Sequence, residues 1–509
     1  MSSTTWVMVA AIILYTAMMV YVGIRCSKKN KTTDDFYLGG RKLGPIVTAM
    51  SAEASDMSAW LLMGLPGLAL MTGLAEATWT AIGLAVGTYL NWLFVAKRLR
   101  NYTEKVGAVT LPEFFSKRFK DEKNILAAIA AVVIIIFFIP YTASGFSACG
   151  KLFSNIFSLD YSVAMLISAV VIVLYCTLGG FLAASTTDLI QSIIMTFALL
   201  TALGIGEGMI GGFGNVFANV KGLDGYLDIT KGFDVAGGKT GTYGSLTIAS
   251  TLAWGLGYFG MPHVLLRFMA IDDAKKLKTS RRIASVWVVI SMAIAVLIGV
   301  VGYSLMKAGI VPNYDSASSA ETIFVDIAAF LTTTGYIPAL VGGIFLAGIL
   351  ASTMSTADSQ LIAASSSVAR DLAINTFKVR LSDKTAMLVA RASVIVIAVI
   401  AVFLAKNPNS SVFRIVSFAW AGFGAAFGPV MLFSLFWKRT TKWGALAGMV
   451  SGGAMVFIWK FVVAKAGGVW AIYELLPAFI IASVFIVIVS LLDKKPSSEI
   501  VDEFETVGK

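Results

Sequence analysis

Ionisable side chains are scarce in this chain: only 14% of its 509 residues are charged, against about a quarter in an ordinary soluble domain. There is one histidine, His263, which leaves little for histidine-based metal or triad chemistry. The three cysteines, Cys26, Cys149 and Cys176, stand at unrelated spacings, so neither a disulfide framework nor a cysteine metal site is indicated. The sequence has no P-loop, no H-E-x-x-H and no nucleophile elbow, so neither ATP hydrolysis nor a membrane hydrolase is indicated. A formal G-x-G-x-x-G exists at Gly206, Gly208 and Gly211, but it closes an apolar run and follows no strand, which argues against a dinucleotide site.

What is abundant is apolar surface. Hydrophobic residues make up 57% of the chain and its mean hydropathy is +0.82. A single soluble core cannot hide that excess under a polar skin, so the chain reads as an all-α integral membrane protein in a lipid bilayer. Apolar runs of roughly 20 residues, long enough to cross a ~30 Å hydrocarbon core, predict about thirteen spans. They fall at 5–25, 46–72, 74–96, 125–149, 161–180, 186–211, 244–266, 283–307, 322–361, 386–405, 412–436, 443–464 and 471–492. The 322–361 run is too long for one span and predicts a short outer helix before Pro338, then a span to about Ala364. The loop at 212–243 is expected to pack over the bundle, and the tail beyond 493 is short and polar.

The net charge of +11 labels topology rather than a nucleic-acid partner. Thirty-one of the forty basic residues fall in alternate loops, including Arg25, Lys28, Lys29, Lys31, Arg41, Lys42, Arg100, Arg118, Arg267, Arg282, Arg370, Lys438 and Lys509. The positive-inside rule puts that side in the cytoplasm, with the N-terminus outside and the C-terminus inside. The first span has no basic region before it and is expected to remain as an anchor rather than a cleaved signal.

Polar residues at membrane depth are costly and therefore candidates for function. The densest set is Ser51-Ala52-Glu53-Ala54-Ser55-Asp56-Met57-Ser58, inside the second run. With Gly64, Pro66 and Gly67 beyond it, this set suggests a locally unwound helix offering carbonyls, hydroxyls and a carboxylate, hard ligands suited to an alkali cation. Interhelical hydrogen bonding by the same groups is the structural alternative. Ser352, Ser355, Thr356 and Ser359 share one helical face. Read alone, that stripe fits a structural seam and an ion site equally well. Asp358 and Gln360 add polarity expected near the cytoplasmic end. The seventh run carries Trp254-Gly255-Leu256-Gly257-Tyr258-Phe259-Gly260-Met261-Pro262-His263, where glycines and proline weaken the helix and aromatics can wall a pocket. For His263 a structural hydrogen bond is preferred. Gly83 and Gly87, like Gly424 and Gly428, read as close helix packing. Two interrupted spans five apart in order, the second and the seventh, point to an inverted-repeat transporter with a binding site at mid-membrane.

At these residues the sequence resembles the sodium/solute symporter family, and within it the sodium/proline symporter branch. The likeness is carried by Phe36-Tyr37-Leu38-Gly39-Gly40-Arg41, by Ser55-Asp56-Met57-Ser58 through Gly64-Leu65-Pro66-Gly67, and by Gly179-Gly180-Phe181-Leu182-Ala183. It continues in the Trp254–Gly260 stretch, in Met354-Ser355-Thr356 and in Ala419-Trp420-Ala421-Gly422-Phe423-Gly424-Ala425-Ala426-Phe427-Gly428-Pro429. The resemblance implies thirteen helices around a five-plus-five inverted-repeat core and sodium-coupled uptake of L-proline across the plasma membrane, with no catalysis and no organic cofactor. By motif it places sodium on Ala54, Met57, Ser352, Ser355 and Thr356. It links Asp56, Ser58 and Asp188 to sodium use, Asp188 to a second ion in some relatives. It gives Tyr141, Trp254, Tyr258 and Pro262 to proline.

Glu53, Ala59, Met261 and Ser352 depart from what that branch commonly has, which is glycine, glycine, glutamine and alanine. Another small amino acid or organic solute as cargo, or a gated cation channel, are the competing readings. The resulting layout is one transporter domain over 1–509: a peripheral helix at 5–25, repeats at 46–211 and 244–436, two further peripheral helices at 443–492 and a cytoplasmic tail at 493–509.

Overall fold

The computed structural model describes residues 2–27 and 33–508; Lys28, Lys29, Lys31 and Lys509, used above for orientation, lie outside the described residues. Within them the chain is nearly all helix, as expected of backbone that must satisfy its own polar groups away from water. A two-stranded antiparallel hairpin, Lys231–Asp234 against Lys239–Thr242, sits in the long loop. That loop covers the bundle as expected, and Tyr226 anchors it by donating to the carbonyls of Ala69 (3.1 Å) and Leu70 (3.2 Å).

Ten helices are individually long and apolar enough to cross a bilayer, and a bent pair, Pro45–Asp56 with Trp60–Thr72, makes up to eleven. Two of the thirteen expected spans fall short of that measure. The first holds a shorter apolar helix, Tyr161–Leu174, in a long helical stretch after Asp160 that is kinked at Gly180 (φ 64°, ψ −178°). Only glycine adopts that backbone freely. The second, expected at 244–266, is cut into Ser245–Leu252, a 3₁₀ stretch at Ala253–Gly260 and Pro262–Ala270. The 322–361 run divides as expected, into Ile323–Leu331 and a helix that begins at Tyr336.

The connecting segments collect on two faces. On one, Arg41 donates to the carbonyls of Met269 (2.6 Å) and Ala108 (2.6 Å), and Arg100 to that of Ile271 (2.7 Å). Lys442 meets Asp121 there at 2.7 Å. The tail, expected to be merely polar, forms the helix Ser498–Gly508 on this face, with Glu503 on Lys120 (2.8 Å) and Phe504 under the guanidinium groups of Arg98 and Arg118. On the opposite face Lys151 pairs with Glu321 at 2.7 Å, and the Ser250 hydroxyl accepts from the Tyr473 amide at 2.7 Å. The basic-rich segments therefore share one face. Arg267 is the exception: it was counted with the loops, but it is buried in Pro262–Ala270.

Small residues let the two interrupted regions approach their neighbours. A Cβ on Gly83 would lie 2.5 Å from the Leu252 carbonyl oxygen, and Gly87 and Gly255 meet backbone to backbone. Gly424 packs on Gly257 in the same way, since a Cβ on Gly424 would stand 2.8 Å from the Gly257 Cα. We expect Gly87→Ala to cost about 1–3 kcal/mol through forced separation of these backbones. Gly204→Ala, whose added Cβ meets nothing within 4 Å, should unfold like the parent. Thermal unfolding of both in one detergent checks this.

Candidate functional site

The site forms where the two interrupted helices face each other. Pro45–Asp56 ends at Met57 (φ −78°, ψ 72°), and the chain resumes helical geometry at Ala59. The break falls within the polar set, not at the glycines and proline beyond it. Gly64, Pro66 and Gly67 remain within helical geometry, and Gly67 serves packing instead, since a Cβ there would stand 2.9 Å from the backbone of Ala320 and Glu321. Opposite, Met261 is extended (φ −76°, ψ 109°) and Pro262 starts a new helix, where its missing amide hydrogen costs nothing.

A helix break strands carbonyls in a dry interior, and side chains from other helices satisfy them here. The Asp56 carbonyl accepts from the Tyr141 hydroxyl (3.1 Å) and the Trp60 indole (3.1 Å), besides the Ser58 amide (2.8 Å). The Ala54 carbonyl accepts from the Ser355 hydroxyl at 2.7 Å. The Asp56 carboxylate is buried, with Oδ2 accepting from Tyr258 at 2.6 Å and Oδ1 without a hydrogen-bond partner among the described residues. Two residues expected to bind substrate, Tyr141 and Tyr258, thus converge on the residue expected to be linked to sodium.

The structure also brings the expected ion ligands of the two helices together, though not all as free ligands. Ser355 reaches across to Ala54, whereas Ser352, thought to add a ligand, bonds the Ile349 carbonyl of its own helix (2.9 Å). The Thr356 hydroxyl is buried with no partner among the described residues. Met57 is wholly buried at the break, and Ser58 Oγ accepts weakly from the Trp60 amide at 3.4 Å. Glu53 turns to the neighbouring helix, where its Oε1 accepts from Thr88 (3.1 Å) and Trp92 (2.9 Å).

Trp254 lies in a cluster of rings, stacked on Tyr473 at 5.1 Å and against Phe413 at 5.2 Å, and its carbonyl accepts from Trp420 at 2.8 Å. The preferred reading of His263 is overturned: both ring nitrogens lack hydrogen-bond partners among the described residues, and the buried ring packs on Phe138 (5.6 Å) and Tyr141 (6.4 Å). Asp358 and Gln360 are likewise buried within the bundle, and Thr142 donates to Gln360 at 3.0 Å.

Asp188 is held by groups the sequence reading did not assemble. Its Oδ2 meets Arg267 at 3.1 Å and accepts from Ser51 at 2.6 Å. Arg267 also donates to Ser51 (2.9 Å), Ser359 (2.5 Å) and the His263 carbonyl (3.0 Å), tying the second and seventh regions to the serine stripe. A lone arginine in the apolar stretch Val264-Leu265-Leu266-Arg267-Phe268-Met269 was the available signal. Arg267→Met should cost about 3–5 kcal/mol by leaving a buried carboxylate unpaired. The double variant Arg267→Met, Asp188→Leu should regain most of that, and a double-mutant cycle on thermal unfolding measures the difference.

Comparison with known proteins identifies the family and the fold. The model of the sodium:solute symporter family matches residues 36–452. The osmoregulated proline transporter OpuE of Bacillus subtilis (strain 168) is 43% identical over 488 residues, covering 95% of this chain and 94% of its own. A sodium/proline symporter of Escherichia coli (strain K12) is 41% identical over 504 residues, covering 98% and 95%. Among solved structures, a Na+-coupled sialic acid symporter in a substrate-bound, outward-open state superposes with a TM-score of 0.78 at 19% identity, covering 96% of this chain and 99% of that one. That likeness shows a shared fold. The chain belongs to the sodium:solute symporter family.

Proposed function

We propose that this protein takes up L-proline together with sodium by alternating access across the plasma membrane. The observation that carries the proposal is the junction at Asp56. There a buried carboxylate with one unpartnered oxygen lies between two helix breaks, with Tyr258 donating to its other oxygen and Tyr141, from a different helix, donating to the backbone carbonyl of the same residue. Relatives named as proline transporters and as sodium/proline symporters, similar over nearly the full chain, supply the cargo and the ion. The basic face is taken as cytoplasmic by the positive-inside rule, which puts the N-terminus outside and the C-terminus inside. The two repeats are taken as 46–211 and 244–436, related by inversion, with the helix at 5–25 and the pair within 443–492 as peripheral elements.

In this reading sodium sits between the carbonyls of Ala54 and Met57 and the hydroxyls of Ser355 and Thr356, with Ser352 beside them. The Ser355–Ala54 hydrogen bond occupies that gap in the present state, and an arriving cation exchanges it for two oxygen ligands. Asp56 supplies the negative charge and Ser58 stands next to it. The second carboxylate, Asp188, is already balanced by Arg267, which favours one sodium for each solute. Proline lies against Tyr141, Tyr258 and Pro262, under Trp254, and no bond in it is made or broken. One charge moving down ~100 mV supplies about 2.3 kcal/mol. At ~1.4 kcal/mol per tenfold, that sustains roughly 40-fold accumulation before any chemical sodium gradient is added.

The test is uptake of labelled L-proline into proteoliposomes, with and without sodium, against a panel of unlabelled amino acids and organic acids. Saturable uptake that needs sodium and is displaced best by proline is expected. Displacement by another solute at far lower concentration would replace proline as the cargo, and sodium current without solute would point to a channel. Asp56→Asn should abolish sodium stimulation. Tyr258→Phe, which removes one hydrogen bond to a charged group, should raise the sodium half-saturation about tenfold.

A further inference from the structure

Glu53 is a buried carboxylate that the junction does not use. Its Oε1 accepts from the Thr88 hydroxyl (3.1 Å) and the Trp92 indole (2.9 Å), while Oε2 has no hydrogen-bond partner among the described residues. Both donors are neutral, and both belong to the span Leu74–Lys105. Asn91 shares their face of that span, lies between them in sequence and is wholly buried. Its amide nitrogen donates to the Tyr258 carbonyl at 3.0 Å, and its Oδ1 has no partner among the described residues. A π-helical turn, Asn91–Val95, begins at this residue, a distortion that recurs at functional sites.

The charge on Glu53 has no counterpart. Asp56 stands one helical turn further along, and neither carboxylate has an ion pair among the described residues. Arg267, the arginine of the seventh region, is engaged with Asp188, Ser51 and Ser359. An uncompensated carboxylate is costly in a dry interior, and buried polar atoms are ordinarily partnered. Interhelical hydrogen bonding explains Oε1 but leaves two acceptors, Glu53 Oε2 and Asn91 Oδ1, beside each other without donors. A cation satisfies acceptors and negative charge together. Carboxylate, amide and hydroxyl oxygens are hard ligands that suit an alkali cation over a soft transition metal, and one carboxylate matches a single positive charge.

We propose that Glu53, Asn91 and Thr88 form a second alkali-cation site, separate from the junction, with Glu53 Oε2 and Asn91 Oδ1 as its principal ligands. The Thr88 hydroxyl gives its hydrogen to Glu53 Oε1 and offers the cation its oxygen lone pairs. The cation pins the second span to the third, one turn before the break. Through Asn91 it also steadies the backbone of Tyr258, whose hydroxyl holds Asp56. It balances Glu53 and is counted apart from the sodium exchanged at Ala54 and Ser355. The site requires nothing of the cargo.

Counting bound cations on the purified full chain tests it. The protein is reconstituted into nanodiscs in N-methylglucamine chloride, and radioactive sodium and radioactive rubidium, the latter standing in for potassium, are bound to saturation separately. The parent should hold one cation more than Glu53→Gln, which keeps an oxygen for Thr88 and Trp92 but carries no charge. The isotope that shows the difference says whether the site takes sodium or potassium. Asn91→Leu, which keeps the carboxylate, should weaken the same cation about tenfold, as loss of one contact to a charge does, and it reads the site if Glu53→Gln yields no folded protein. Equal counts and affinities in the parent and these variants, with both isotopes, overturn the site, and Glu53 then carries a proton. Asp56→Asn should remove the other cation. A count unchanged by Asp56→Asn but one lower in Glu53→Gln would keep the second site and overturn the sodium reading of the junction.

Discussion

Everything at the centre of this protein depends on one constraint: a helix that breaks where there is no water must find new partners for its stranded backbone groups. The break after Asp56 frees carbonyls at Ala54 and Asp56; Ser355 satisfies the first, and Tyr141 with the nearby Trp60 the second. The Ser355 and Tyr141 bonds tie two other helices to the break, and the Trp60 bond ties its two halves to each other. The broken segment is therefore held in place by the same oxygens a cation would use. A change in ligation at this junction alters which helices it holds together, and alternating access requires that kind of link.

Charge inside the bundle follows the same economy. Asp188 is tolerable because Arg267 and Ser51 surround one of its oxygens, and Arg267 joins the seventh region to the serine stripe through Ser359. Asp56 has one neutral donor, Tyr258, on Oδ2. Of these two buried carboxylates, then, one is balanced by an arginine of the protein and the other is not, and that difference is why Asp56 rather than Asp188 is proposed as the coupling carboxylate.

The sequence made the membrane class, the charge-rich face and the two interrupted helices legible, because hydropathy, basic clustering and glycine–proline content are local properties. It also picked out Asp56, Ser355, Tyr141 and Tyr258, which the structure brings together. It did not show which small residues beyond the polar set serve packing. Gly64 and Gly67 look like breakers but are packing positions, a difference set by Phe413 and by the Ala320–Glu321 backbone far along the chain. It misread His263 and Arg267 for the same reason. One was expected to be hydrogen-bonded and is packed between rings, and the other was counted as a loop charge and is the buried partner of Asp188. Partnership across seventy-nine or more residues has no local signature.

In the proposed mechanism sodium and proline bind at one junction and each stabilises the other's site. The most direct measurement is the equilibrium affinity of the purified chain for proline as a function of sodium, together with its affinity for sodium as a function of proline. The account predicts that each ligand tightens the other by the same factor, as linkage requires, and that Asp56→Asn removes the coupling. Proline affinity that is unchanged from zero to saturating sodium would contradict it.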